Sequence, residues 1–352
     1  MMRGQQHILI AAWCGGLAVP CTGQTVAGPQ DALRPAGIQA EHILQLWHGT
    51  LALCGVVFVL VLGACLLSLW RAARGSARTA PDLSPLDEVA APRERRLLRA
   101  VGWSTALAGA GLLVLLGGDI WTGRALAQLP AEGALRIELV GHNWWWEAHY
   151  KDPLSGRAFA TANELHVPVG RAVIITLRSD DVIHSLWVPN LHGKLDLIPG
   201  RSTEIRIRAD RAGAYRGQCA EFCGLQHAMM ALLVVAQEPA AYAAWAQGQH
   251  QPAAPLANED HAVRRGRQVF MENQCMGCHA IRGTAAVGAA GPDLTHLASR
   301  QTIAAGTLPN RRGHLAGWIV DAPSIKPGAR MPAMPLAPDD LQALLAYMES
   351  LR

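Results

Sequence analysis

The chain has 352 residues, of which half are hydrophobic and only 16% charged, a balance that leans towards membrane association and a length that allows two or three folded units. A formal net charge of +4, with no basic stripe interleaved with aromatics, gives no support for a nucleic-acid partner. The eight cysteines fall into pairs of different kinds, so no disulfide framework is expected.

In chain order, Arg3, an apolar core from Ile8 to Val19 and small residues before Gly28 read as a signal peptide over residues 1–27, with a short uncleaved helix as the alternative. Ile43 to Trp70 and Ala100 to Gly118 carry no charged residue, and each can cross a bilayer, giving a transmembrane hairpin over residues 41–120. Between them Arg71, Arg74, Arg78, Arg93, Arg95, Arg96 and Arg99 outnumber Asp82, Asp87, Glu88 and Glu94. This arginine excess places the loop on the cytoplasmic side and both flanking segments outside.

From Ala134 the hydrophobic pattern changes to period two. The runs RIELV, AVIIT and EIRIR, broken by Pro168, Gly170, Pro199 and Gly213, predict a Greek-key β-sandwich of the cupredoxin type over residues 130–238. Within it, Gly141 to Tyr150 reads GHNWWWEAHY; as a strand it would put Trp144 and Trp146 on one face and Trp145 on the other. For Trp144, a core position and a partly exposed one both stay open.

The densest chemistry is CAEFCGLQHAMM, Cys219 to Met230. Cys219, Cys223, His227 and Met230 offer two thiolates, an imidazole and a thioether, a soft donor set that suits copper. Zinc rarely recruits a thioether, and a disulfide between the two cysteines would leave His227 and Met230 without a role. A copper pair needs one more imidazole. His184 follows the apolar run VIITL, which predicts a place at the end of a strand, whereas His192 lies among Pro, Asn and Gly as in a loop; His184 is the preferred candidate.

Residues 239–257 read as a short helix and a Pro- and Ala-rich linker. A third unit, residues 258–352, contains C-x-x-C-H at Cys275, Cys278 and His279, where two thiols can bind haem vinyl groups and the imidazole the iron. A redox dithiol is the alternative. An amphipathic stretch from Ala262 to Phe270 and a helix start at Pro338, Asp339 and Asp340 frame this unit with helices.

Two resemblances follow from these residues. D-V-x-H-S at Asp181 to Ser185, followed by C-x-E-x-C-x3-H-x2-M, resembles the CuA domain of cytochrome c oxidase subunit II, over about Glu41 to Gln249. Residues 258–352 resemble a class I cytochrome c. The first implies a binuclear copper centre bridged by Cys219 and Cys223, with His184, His227, Met230 and the Glu221 carbonyl as further ligands. It also implies a Trp, here Trp144, through which electrons reach the copper, acidic Asp180 and Asp181 near the donor surface, and Lys194 and Asp196 towards subunit I. The Glu221 side chain would reach a magnesium shared with that subunit. The second implies haem c on Cys275, Cys278 and His279, Pro292 beside the proximal histidine, and Met331 as axial ligand by its K-P-G-x-x-M-P pattern, with Met334 as the alternative.

The resemblance departs at the second span, where Ala100, three residues before Trp103, stands in place of the family's Glu. The function implied is that of an oxidase subunit relaying electrons from a cytochrome c donor through haem c to CuA and on to subunit I, where oxygen is reduced to water. The chain would sit with other oxidase subunits in a bacterial inner membrane, both metal domains on the periplasmic face. A membrane-anchored electron carrier and the CuA subunit of a nitric oxide reductase are the alternatives.

Overall fold

In this computed structural model the described residues are 30–71, 91–151, 156, 158–253 and 260–352. The signal-peptide reading over 1–27, most of the arginine-rich loop and part of the linker lie outside them. Helices α1 (Ile38–Arg71) and α2 (Ala91–Ala127) are long and apolar enough to cross a membrane. They extend past both ends of the span read from the sequence, because polar residues continue the helical hydrogen bonding beyond the apolar run. The start of α1 is tied to the next domain: Ala36 N–H donates to Asn190 O at 2.7 Å and Asp210 N–H to Ala36 O at 2.7 Å.

Two five-stranded sheets follow. One runs in the order β3 (Ala158–Ala162), β2 (Trp145–Lys151), β1 (Leu135–His142), β5 (Val173–Ser179), β8 (Thr203–Ile207). The other runs β4 (Glu164–Pro168), β10 (Ala231–Gln237), β9 (Gly213–Cys219), β6 (His184–Trp187), β7 (Leu195–Leu197). One parallel pair in each sheet, β1 with β5 and β4 with β10, breaks an otherwise antiparallel pattern and makes the crossovers of a Greek-key sandwich. Alternate side chains from both inner faces fill the core, among them Leu139, Trp146, Tyr150, Ile175, Leu177 and Val234. Each such buried side chain contributes about 1.5–3 kcal/mol.

Two local expectations are corrected. The tryptophan run is not one strand: His142 pairs with Trp145 across a two-residue hairpin turn, so Trp144 sits in the turn between β1 and β2. Trp146 is fully buried, Trp145 stacks on His142, and Trp144 is half-buried at the domain's end. His184 does not end the VIITL strand; β5 finishes at Ser179, the chain turns through 180–183, and His184 opens β6.

Helix α3 (Pro239–Gln249) lies on the sandwich, with Trp245 stacked on His166 at 4.1 Å. Beyond it the chain is helical: α4 (His261–Glu272), α5 (Cys275–Cys278), α6 (Arg312–Val320), α7 (Ala322–Ile325) and α8 (Pro338–Ser350), with a two-stranded ribbon of β11 (Thr302–Ile303) and β12 (Leu308–Pro309). Helices α4 and α8 cross at Gly266, where a β-carbon would lie 2.0 Å from Ala343 O. Only glycine permits that approach, which lets Val269, Phe270, Leu344 and Tyr347 form one core.

Candidate metal centre

The copper-type motif spans the loop between β9 and β10. Cys219 ends β9, Met230 precedes β10, and Cys219 N–H donates to Met230 O at 2.9 Å, so the first and last residues of the motif face each other at the loop's base. Leu186 on β6 pairs with Cys219, which brings His184, at the start of the same strand, to the thiols. Gly141 on β1 makes room for the imidazole, since a β-carbon there would lie 2.8 Å from His184 Cδ2.

The donors converge. Cys219 Sγ lies 3.7 Å from Cys223 Sγ, 4.0 Å from His184 Nδ1 and 3.2 Å from Glu221 O. Cys223 Sγ lies 3.7 Å from His227 Nδ1 and 3.9 Å from Met230 Sδ. His184, Cys219, Cys223 and Met230 are buried, and both cysteines are free thiols. The close thiols depress Cys219, with Cys223 the largest cause, while the same contact and then burial raise Cys223. Two sulfurs that share a proton in this way are positioned to share metal ions instead. Two thiolates, two imidazoles, a thioether and a carbonyl around one buried point fit a soft copper pair; a zinc tetrahedron would leave donors over.

Asp181, which the resemblance implies to lie near the donor surface, turns its carboxylate towards His184. Its Oδ1 lies 2.8 Å from His184 Nε2, and it also accepts from Asn143 N–H at 2.7 Å and Val182 N–H at 2.7 Å. Burial opposes its charge, but hydrogen bonds from His184 and then from the two amides hold the carboxyl below its usual range. A carboxylate on the far nitrogen fixes the tautomer, leaving Nδ1 free towards Cys219. The three-residue spacing of Asp181 and His184 was the available sequence signal for this role. Asp180 stays at the surface, 3.6 Å from His142 Nδ1. His192 contacts its neighbour's carbonyl, Gly193 O, at 3.2 Å rather than a thiol. The Glu221 carboxylate is exposed and lies 3.8 Å from Lys194 Nζ.

In the helical domain Cys275 and Cys278 occupy one helical turn, half-buried and exposed respectively, and His279 follows directly. His279 Nδ1 is 2.8 Å from Pro292 O, which leaves Nε2 as the free ligand atom. Burial lowers the pKa of this imidazole and so favours the neutral form that binds iron. Two thiols and an aimed imidazole fit covalent haem. Met331 packs against the helical core, whereas Met334 is held through its backbone, N–H to Val320 O at 2.9 Å.

Trp144 lies where the two domains meet. Its Nε1–H donates to Cys223 O at 2.8 Å. Two glycines with positive φ flank its ring: a β-carbon on Gly224 of the copper-type loop would lie 3.1 Å from Cζ2, and one on Gly328, three residues before Met331, 3.7 Å from Cζ3. Lys326 and Gln226, both buried in this seam, were not singled out in the sequence; Gln226 is a variable position inside C-x-E-x-C-x3-H-x2-M and Lys326 opens K-P-G-x-x-M-P, but neither pattern marks a contact between the two.

Comparison with known proteins agrees with this geometry. The family model described as cytochrome C oxidase subunit II, periplasmic domain, matches residues 153–237, and the cytochrome c model matches residues 263–352. Cytochrome c oxidase subunit 2 of Alkalihalophilus pseudofirmus is 40% identical over 226 residues, 63% of this chain and 62% of that protein. The Bacillus subtilis protein of the same name is 29% identical over 63% of this chain and 64% of its own length. The alternative cytochrome c oxidase subunit 2 of Bradyrhizobium diazoefficiens is 29% identical over 46% and 67%. The chain spans less than two thirds of the length of the first two relatives. The first domain implies CuA copper and the second implies haem. With its metal-type loop, its two apolar helices and both family matches in sequence order, the chain carries a domain that matches the periplasmic domain of cytochrome c oxidase subunit II, followed by a domain that matches cytochrome c.

Proposed function

We propose that this chain is the electron-receiving subunit of a haem-copper oxidase, taking electrons from a cytochrome c type donor and delivering them to subunit I, where oxygen is reduced to water. It would be anchored in a bacterial inner membrane by α1 and α2, with both redox domains on the periplasmic face and further oxidase subunits beside it. When bound, a copper pair and haem c supply one-electron oxidation and reduction. Cys219, Cys223, His184, His227, Met230 and Glu221 O would hold the coppers; Cys275, Cys278, His279 and Met331 would hold the haem. The Glu221 carboxylate, once freed from Lys194, is the proposed magnesium ligand shared with subunit I.

The observation that carries the reading is the position of Trp144, hydrogen-bonded to the Cys223 carbonyl on one side and packed against the Gly328 loop on the other. An indole hydrogen-bonded to the copper-type loop and lying beside the Gly328 loop offers a short path for an electron between them. Trp144→Phe removes the N–H link while keeping most of the ring, so transfer from haem to copper should slow while the copper spectrum and the melting temperature stay near those of the parent protein. Flash reduction of the haem, with copper reduction followed optically beside a melting curve, measures both. A normal rate in a destabilised domain would make Trp144 a core residue and end the conduit assignment.

A further inference from the structure

The seam between the sandwich and the helical domain is built from polar groups placed at the two ligand loops. Gln226, between Cys223 and His227, is 2% exposed and donates both N–H groups of its amide across the seam, to Lys326 O at 3.2 Å and Pro327 O at 3.0 Å. Those carbonyls open the loop that leads to Met331. Lys326 is 3% exposed, and its ammonium donates to Trp144 O at 3.4 Å and Ala304 O at 3.2 Å. Burial pushes this ammonium down to about 8, against the opposing effect of Cys223. A lysine is rarely buried without a carboxylate, so its place among carbonyls at this one point calls for a reason.

A second, independent observation lies in the turn between β11 and β12. Ala304, Ala305 and Gly306 take φ of +54°, +54° and +72°. For alanine the left-handed conformation costs about 1–2 kcal/mol per residue and persists only where the surroundings impose it. Here the three successive carbonyls all find donors: Lys326 Nζ for Ala304, the Ala231 amide at 3.0 Å for Ala305, and Arg216 Nη1 at 3.0 Å for Gly306. Two of these donors belong to the copper-type domain, and Lys326 joins the third carbonyl to Trp144. Gln301 N–H to Glu164 Oε2 at 2.8 Å closes the same seam further out.

We infer that Gln226 and Lys326 are positioning residues that clasp the haem-ligand loop onto the copper-ligand loop at Trp144, fixing the separation across which one electron passes. The inference rests on the proposed function for the electron step, in which one electron leaves the haem side and arrives at the copper side with no bond made or broken. The clasp itself is a property of the polypeptide. It also covers the Trp144 face with the chain's own cytochrome domain, so a soluble donor would deliver to the haem domain rather than to Trp144.

The test uses the full chain with Gln226→Leu and, separately, Lys326→Met. Gln226→Leu keeps the buried volume with no charge change, so it covers the case in which Lys326→Met fails to fold. In the full chain as purified, hydrogen exchange at the Ala231 and Gln301 amides, which both bond across the seam, should rise at least about fivefold in either folded variant, the size expected when one hydrogen bond of about 1 kcal/mol is lost. In the loaded protein, haem-to-copper transfer should slow at least about tenfold, and the magnetic relaxation that the haem iron induces in the copper signal should weaken, while both potentials hold. Unchanged exchange, or unchanged transfer and relaxation, overturns the clasp. A parent protein that shows no mixed-valence copper signal or no haem sinks the proposed function instead, and the exchange measurement still decides the clasp.

Discussion

The two candidate cofactor sites present similar donor groups in opposite ways. At the sandwich end, the thiols, the thioether and His184 are buried and come from two separate stretches of chain, each fixed at a strand terminus. At the helical end, Cys275, Cys278 and His279 lie within five residues, the two cysteines on a single helical turn with one thiol exposed and the histidine directly after it. The difference follows from how each group is retained. An ion held only by coordination needs donors preorganised and screened from water before it arrives, whereas a haem held by thioethers needs thiols accessible to its vinyl groups and is kept afterwards by covalent bonds.

The sharpest way to separate the two ends is Cys219→Ser. A serine oxygen is a hard donor and cannot bridge two soft ions as a thiolate does, so the mixed-valence copper signal in electron paramagnetic resonance should vanish while the haem spectrum stays intact. Retention of the copper signal removes Cys219 from the centre. Loss of both signals would mean that the two ends depend on each other far more than their separate constructions suggest.

Preorganisation itself is tested by Asp181→Asn. The amide keeps a similar shape and can still meet His184 Nε2, but it removes the charge that holds the imidazole's orientation. Loss of such a supporting carboxylate lowers metal affinity by about 10–100-fold. Competition for copper against a chelator of known strength measures this. An unchanged affinity would show that the buried strand termini alone preorganise the site.

The same contrast explains what could be read from the sequence. The C-x-x-C-H motif was legible because it is local, and the spacing of Cys275, Cys278 and His279 survives any fold. In the copper loop, Cys219 to Met230 was legible for the same reason. His184 does lie beside Cys219, but its expected placement at a strand end was off by one element, since a four-residue turn separates β5 from β6. The tryptophan run misled because a two-residue turn at Asn143 and Trp144 contains no glycine or proline to mark it. Asp181, Gln226 and Lys326 depend on contacts up to 182 residues apart or on which way a side chain turns. No periodicity encodes those.

The smallest effect concerns the seam, where the two constructions touch at Trp144. Ala304 holds φ of +54° with its methyl only half-buried. Ala304→Gly removes a left-handed penalty of about 1–2 kcal/mol. It adds about 0.5–1 kcal/mol of chain entropy in the unfolded state and gives up part of the roughly 0.8 kcal/mol for one buried methyl. The balance predicts a gain below about 1 kcal/mol, with the Lys326 and Ala231 hydrogen bonds retained, and so a melting temperature raised slightly or left unchanged. Ala304→Val should do the opposite, because a β-branched side chain cannot take a left-handed φ without strain, and its loss should appear first as faster exchange at the Ala231 amide. If the glycine variant is instead clearly destabilised, the turn is not held in this conformation by the domain beside it, and the seam is a passive contact between two independently built halves.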